Sequence, residues 1–379
     1  MSKPAPPMSI EELRARPTEP ASRDKPPGLS AGCQSSFYVR TEVDKPEVEV
    51  SITSLDEHLG PGEVHRVDVR VANGRRQSFA PVVNRLHVVD RDVPDHAADG
   101  YRPAHLDLVR LPEGREPVRY RPTRLSPIKG RPVRPLNVYQ PDRRVEMDSL
   151  AYPFSTVGRV TVPVAPGSAE VKIGTGTLIG PRHVLTASHV MNWHWPGPSL
   201  APVAFTPSFN RGAAPFGVAN ATRTYWFREV DNPDDEISVS LDYIVFVLDR
   251  PLGSQLGFMG TREYSNDWDD KPFWFNVSYP HDRGNDEVPF FQDQVSFEDA
   301  DNPGIVGQEG DGLYMDTETA SVDHGASGSA FFAFWANEDF PRVVSVTSAE
   351  GTLNFDDDNW AAGGPPLNRL VNKARADFP

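Results

Sequence analysis

The 379-residue sequence contains one cysteine, Cys33. No intramolecular disulfide can form, so whatever core the chain builds must hold by burial alone. Cys33 lies in a polar Ser/Gly/Gln stretch without a histidine or second cysteine at ligand spacing, and it reads as a bystander thiol. Long apolar runs are missing as well. None approaches the roughly 18–20 residues that a bilayer-spanning helix needs, so no membrane partner is expected. Basic charge is in short supply: Lys and Arg number 38 against 53 Asp and Glu, a formal net charge of −15. Nucleic acid is therefore not expected as the main partner, since it demands clustered Lys and Arg. Residues 1–27 carry charges and prolines but no apolar stretch of the kind a signal peptide uses.

Helix breakers, in contrast, are plentiful, with 29 glycines and 38 prolines. Both residues interrupt helices and mark turns, which excludes a helix bundle and points to a β-rich chain. Charge divides the sequence. Residues 1–150 carry 24 basic and 22 acidic side chains, whereas the remainder carries 14 and 31, a net of −17. Residues 1–35 read as a disordered tail, too polar and proline-rich to offset the entropy of ordering. Residues 36–109 alternate polar and β-branched side chains, as in Val48-Glu49-Val50-Ser51-Ile52 and Val67-Asp68-Val69-Arg70-Val71, followed by Asn73-Gly74 as a hairpin turn. They form a small β-rich pro- or accessory element. Residues 110–135 are a basic Pro/Arg-rich linker. From 136 to 379, short apolar strands at 171–179, 184–186, 237–248, 273–279, 330–334 and 343–346 alternate with turn residues, the signature of a barrel or sandwich. Leu367, Leu370, Val371, Ala374 and Phe378 then space apolar positions for one amphipathic C-terminal helix.

Acyl transfer through a serine needs a nucleophile, a base, an orienting carboxylate and backbone donors for the oxyanion. Thr186-Ala187-Ser188-His189-Val190 places His189 where a buried strand gives way to a turn. Leu241-Asp242-Tyr243-Ile244-Val245 puts Asp242 at the mouth of another. Gly325-Ala326-Ser327-Gly328-Ser329 sets Ser327 between two glycines, with the N–H groups of Gly325 and Ser327 as a donor pair. Other acids, Asp231, Asp234, Asp235 and Asp249, sit in turn-like settings and read as solvated. His183, His194, His281 and His324 read as strand or loop residues, with His324 a candidate for the cleft rim. Asp356-Asp357-Asp358 lacks the spaced ligands of a calcium loop, so no metal site is expected.

The run 174–190, Gly-Thr-Gly-Thr-Leu-Ile-Gly-Pro-Arg-His-Val-Leu-Thr-Ala-Ser-His-Val, resembles the catalytic-histidine segment of trypsin/chymotrypsin-type serine proteases, and most nearly their glutamyl-endopeptidase-like (V8-like) branch. Asp142-Arg143 through Arg159, Asn276-Val277-Ser278-Tyr279-Pro280-His281-Asp282 and Gly325-Ala326-Ser327-Gly328-Ser329 resemble three further motifs of that branch, in the same order. The α/β-hydrolases order their triad Ser, acid, His, the reverse of this chain.

The resemblance implies an all-β, chymotrypsin-like double β-barrel with a C-terminal helix over 136–379. It implies a serine endopeptidase acting on peptide or protein substrates, with Ser327 as nucleophile, His189 as general acid/base and Asp242 orienting the imidazole. No cofactor is required, a monomer is expected, and secretion is the norm of that family. Ala326 departs from the family's usual Asp or Asn, which in animal trypsins pairs with a new amino terminus; the residues do not say what holds the oxyanion loop instead. That departure keeps an alternative alive, a catalytically inactive homologue that binds peptides. Residues 1–135 are expected to act as an intramolecular pro-segment, docked by charge and cleaved between Arg124 and Val138. Ser321, His324, Thr347, Ser348 and Glu350 are the substrate-pocket candidates. Thr347 stands where glutamate-specific relatives place a histidine, and Glu350 would repel an acidic substrate, so strict cleavage after Glu is not expected.

Overall fold

The computed structural model describes residues 3–23, 36–41, 48–53, 67–71, 76–79, 84–87, 95–113, 138–139, 141–147, 150–196, 200–304, 312–350 and 358–379, the stretches between 36 and 87 by backbone alone. Cys33, Asn73, Gly74, Asp356, Asp357, the side chain of Glu350 and linker residues 114–135 lie outside the described residues.

The first departure from expectation is at the N-terminus, where residues 3–23 pack instead of forming a tail. Ser9 and Glu12 form a capping box that starts α1 (Ile10–Arg14), each side chain satisfying the other's backbone N–H. Met8, Ile10 and Leu13 enter the same core as Phe334 and Val343. The Met8 N–H donates to Phe334 O at 2.8 Å, and Trp335 Nε1 donates to Ala5 O at 3.0 Å. Glu19 then pairs with Leu108 through both backbone groups, while Arg102 and Arg110 hold its carboxylate. Three apolar side chains in an otherwise polar segment suffice, because all three are buried.

The expected alternating strands follow. β1 (Ser36–Thr41), β2 (Val48–Thr53), β3 (Val67–Val71) and β4 (Arg76–Phe79) form an antiparallel sheet in sequence order. β5 (Asn84–His87) does not join it; it runs parallel to a strand of the barrel described next, pairing Asn84 with Arg223 and His87 with Trp226.

After β6 (Val145–Glu146), six strands form a closed barrel: β7 (Val157–Pro163), β8 (Val171–Leu178), β9 (His183–Thr186), β10 (Ala204–Pro207), β11 (Ala219–Trp226) and β12 (Ile244–Leu248). Their order is β10-β7-β8-β9-β12-β11, and β10–β11 pairing closes the ring. Val160, Val162, Leu178, Val184, Phe205, Ile244 and Phe246 belong to one buried cluster, as alternation of inward and outward residues requires. Residues 237–240, expected to begin a strand, belong instead to the short α2 (Glu236–Ser240), because the Asp235 carboxylate caps it by accepting from the Ser238 N–H at 2.6 Å.

β13 (Gly260–Thr261), β14 (Trp274–Ser278), β15 (Phe290–Val295), β16 (Ala300–Asp301), β17 (Leu313–Thr317), β18 (Ala330–Ala333), β19 (Arg342–Glu350) and β20 (Asn359–Gly363) build the second sheet, ordered β16-β17-β20-β19-β18-β14-β15-β6 with β13 beside β19. Trp268, Trp274, Phe297, Phe331 and Trp335 pack together in it. The chain ends in the expected helix, α3 (Pro365–Asp377), which buries Leu367, Leu370, Val371 and Ala374 and packs back onto β9, β11 and β12. An all-β chain with a closed barrel, a second sheet and one C-terminal helix is the chymotrypsin-like architecture the motifs implied.

Candidate active site

Strand β9 ends at Thr186, and a single 3₁₀ turn, Ser188–Val190, follows with His189 at its centre. The buried Ser188 hydroxyl steadies this turn by donating to Arg228 O at 3.0 Å and accepting from the Val230 N–H at 3.1 Å. Lys172 donates to the carbonyls of His189 (3.4 Å) and Met191 (3.2 Å). Burial lowers the pKa of its ammonium. Neither contact was legible in the motifs.

Asp242 sits between α2 and β12 and has no exposed surface. Its Oδ1 accepts the His189 backbone N–H at 2.8 Å, and its Oδ2 faces His189 Nδ1 at 2.6 Å. The Ser348 hydroxyl donates to the same Oδ2 at 2.6 Å. Three donors satisfy a carboxylate that would otherwise be very costly to bury. With Nδ1–H directed at the carboxylate, Nε2 is left as the acceptor. The imidazole keeps 18% of its surface exposed, enough to meet a substrate. Ser348, a pocket candidate by sequence, thus spends its hydroxyl on Asp242.

The loop carrying Ser327 lies against the histidine turn. Gly325 and Gly328 have φ of +85° and +79°, left-handed conformations that a side chain would strain. Close approach also requires Gly328, since a Cβ there would strike Thr186 Oγ1 and Ala187 N. A Cβ on Gly174 would meet both Val190 Cγ2, at 2.7 Å, and Ser327 O, at 3.1 Å. One glycine therefore separates the Ser327 backbone from the residue next to His189.

Thr175 fixes this loop. Its N–H donates to Ser327 O at 2.8 Å and its hydroxyl to Gly325 O at 2.8 Å, while its own Oγ1 accepts from the Tyr279 N–H at 3.0 Å. Its carbonyl accepts from Thr186 Oγ1 at 2.7 Å. Within the loop, the Ala326 N–H donates to Asp323 O, Gly328 to Thr347 O and Ser329 to Ala326 O, at 2.8–2.9 Å. The N–H groups of Gly325 and Ser327 donate to no protein acceptor among the described residues. That is the state an oxyanion-binding pair needs before substrate arrives.

The remaining candidates scatter. His324 is exposed beside the loop. Ser321 is buried, with its hydroxyl between the N–H (3.1 Å) and C=O (3.5 Å) of Tyr139. Thr347 is buried and shares a hydrogen bond with Ser329 Oγ at 2.8 Å. Asp231 pairs on the surface with His194 at 2.5 Å, Asp235 caps α2 and Asp249 binds Asn220. Asp358 groups with exposed Glu298 and Glu318, their oxygens within 4.8 Å.

Solved structures similar to this chain include protease Anisep from Arthrobacter nicotinovorans, 20% identical, covering 59% of this chain and 97% of that one with a TM-score of 0.44. A Glu endopeptidase solved with MPD is 21% identical and covers 63% and 100%, with a TM-score of 0.47. Human heparin binding protein is 12% identical and covers 62% and 96%, with a TM-score of 0.43. No protein-family model matches the chain, and no curated protein does.

Proposed function

We propose that the chain is a serine endopeptidase. The observation that carries this reading is the buried Asp242 carboxylate holding both the backbone N–H and the ring Nδ1 of His189, with the Ser327 loop packed one glycine away. Ser327 Oγ attacks the carbonyl carbon of a peptide bond as His189 Nε2 takes its proton. Charge developing on the carbonyl oxygen falls to the N–H groups of Gly325 and Ser327. The tetrahedral adduct collapses as the imidazolium protonates the leaving amine, leaving an ester on Ser327. Water, activated by His189, hydrolyses that ester. Asp242 orients the ring and stabilises the imidazolium throughout.

A fluorophosphonate should label Ser327 and no other residue. Ser327→Ala should lower kcat by about 10⁵–10⁶-fold without changing the circular dichroism spectrum. A folded chain that neither takes label nor cleaves peptides would overturn the proposal.

A further inference from the structure

Ala326 removes the acid through which, by the resemblance, animal trypsins couple a new amino terminus to the oxyanion loop. The chain supplies another cation. Arg144 is only 2% exposed, just before β6, which fixes it by pairing with β15. Its Nη1 and Nη2 donate to Asp282 Oδ1 and Oδ2 at 2.9 and 2.6 Å, and its Nε and Nη2 to Asp142 at 3.1 and 2.9 Å. Arg283 closes the cluster, donating to Arg144 O at 2.5 Å and lying 3.4 Å from Asp142. The backbone N–H of Asp282 in turn donates to Asp323 Oδ2 at 2.7 Å. Asp323 is buried, and its carbonyl accepts the Ala326 N–H. Beside this link, the His281 N–H donates to His324 O at 2.7 Å.

We propose that Arg144 is the positioning residue of the oxyanion loop, an internal cation that acts through Asp282 and Asp323 and makes a newly cut amino terminus unnecessary. The assignment rests on the peptidase reading above. Its electrostatics are direct. Asp142, Asp282 and Asp323 crowd one region; Arg144 faces Asp142 and Asp282, Arg283 faces Asp142, and the ring of His324 lies on the Asp323 side. Burial and the neighbouring Asp282 push the Asp323 carboxyl above its ordinary range. Without Arg144, Asp282 is left as a poorly compensated charge against Asp323. The turn 280–284 and the loop 323–329 then separate, and the N–H groups of Gly325 and Ser327 lose their aim. A lysine keeps the charge but cannot grip two carboxylates at once.

The test uses the full chain and Arg144→Met, Arg144→Lys and Arg144→Met/Asp282→Asn. In Arg144→Met, amide hydrogen exchange at Ala326, Gly328 and Ser329 should accelerate at least about tenfold. The His189 amide, bonded to Asp242, should not change. kcat should fall about 10²–10³-fold, the range for losing oxyanion donors, with KM nearly unchanged. Arg144→Lys should fall between, and Asp282→Asn should restore part of the loss by removing the orphaned acid. By intact mass, a fluorophosphonate should label the uncleaved chain. Folded Arg144→Met and Arg144→Lys with wild-type exchange and kcat would overturn the assignment, as would labelling that appears only after cleavage. Exchange reads the loop without turnover, so an inactive wild type refutes the peptidase reading while the exchange result still decides Arg144.

Discussion

Ser348 Oγ and His189 Nδ1 approach the same atom, Asp242 Oδ2, each at 2.6 Å. The carboxylate thereby links a turn of the barrel to strand β19 of the second sheet, and the site exists only where the two halves meet. Asp242→Asn keeps the shape but presents an amide group to the ring and favours the wrong tautomer. It should lower kcat about 10⁴-fold. Ser348→Ala removes one hydrogen bond to a charged group, about 1.5–3 kcal/mol, so kcat should fall about 10–100-fold. Steady-state kinetics on both variants checks this; an unimpaired Ser348→Ala would show the hydroxyl to be dispensable.

The histidine, the acid and the serine loop were legible because each lies in a short motif beside an apolar strand. What supports them was not. Ser188 and Thr175 lie inside the quoted motifs, but their contacts reach across 11 to 150 positions of sequence, as in Thr175 with Thr186 and Gly325 and Ser188 with Arg228. No local pattern marks such contacts. The packed N-terminus was hidden for another reason: composition averaged over 35 residues diluted Met8, Ile10 and Leu13, although Ser9 and Glu12 spell a capping box. At α2, hydrophobicity suggested a strand where Asp235 caps a helix turn.

His183 makes stability depend on pH. It is fully buried on β9, with Nε2 3.0 Å from Ala374 O and no partner for Nδ1 among the described residues. Burial, and then the positive charge of Arg375, lower its pKa to about 3. The unfolded chain, with a pKa near 6.5, therefore binds this proton first as pH falls. The stabilisation is whole above about pH 6.5 and is lost towards pH 3, at up to about 1.4 kcal/mol per unit. Denaturant melts of wild type and His183→Gln at pH 7 and pH 5 should show a smaller acid loss in the variant. Equal losses would mean that other groups govern the acid limb.

Residues 3–23 and 95–113 contribute to a hydrophobic core shared with the barrel and the second sheet. Met8, Ile10, Leu13 and Leu108 are buried in it, and the Tyr101 backbone pairs with Phe258 through both groups. Each buried apolar side chain contributes about 1.5–3 kcal/mol, a term that salt does not screen. We therefore expect that cutting the chain within 114–137 leaves both fragments associated on gel filtration in 1 M NaCl. Leu13→Ala should cost about 2–5 kcal/mol in a denaturant melt. Release of the N-terminal fragment on cutting would show that the segment is a detachable pro-region after all.

The two hydroxyls expected in the substrate pocket are already engaged. Ser321 gives its hydroxyl to the backbone of Tyr139, and Thr347 shares its own with Ser329, which also accepts from Asn276 Nδ2 at 2.9 Å. Neither is free to meet a carboxylate, and neither carries charge. A glutamate side chain brought into such a pocket would lose its water without gaining a cation, a cost of several kcal/mol. His324 stands exposed beside the loop, where water screens whatever charge it carries. We therefore predict that a peptide-library digest shows neutral or basic residues accepted before the cut, with Glu disfavoured at least about tenfold, the equivalent of 1.4 kcal/mol. A strong preference for Glu would overturn this, and its loss in His324→Ala would identify the imidazole as the group that receives the carboxylate.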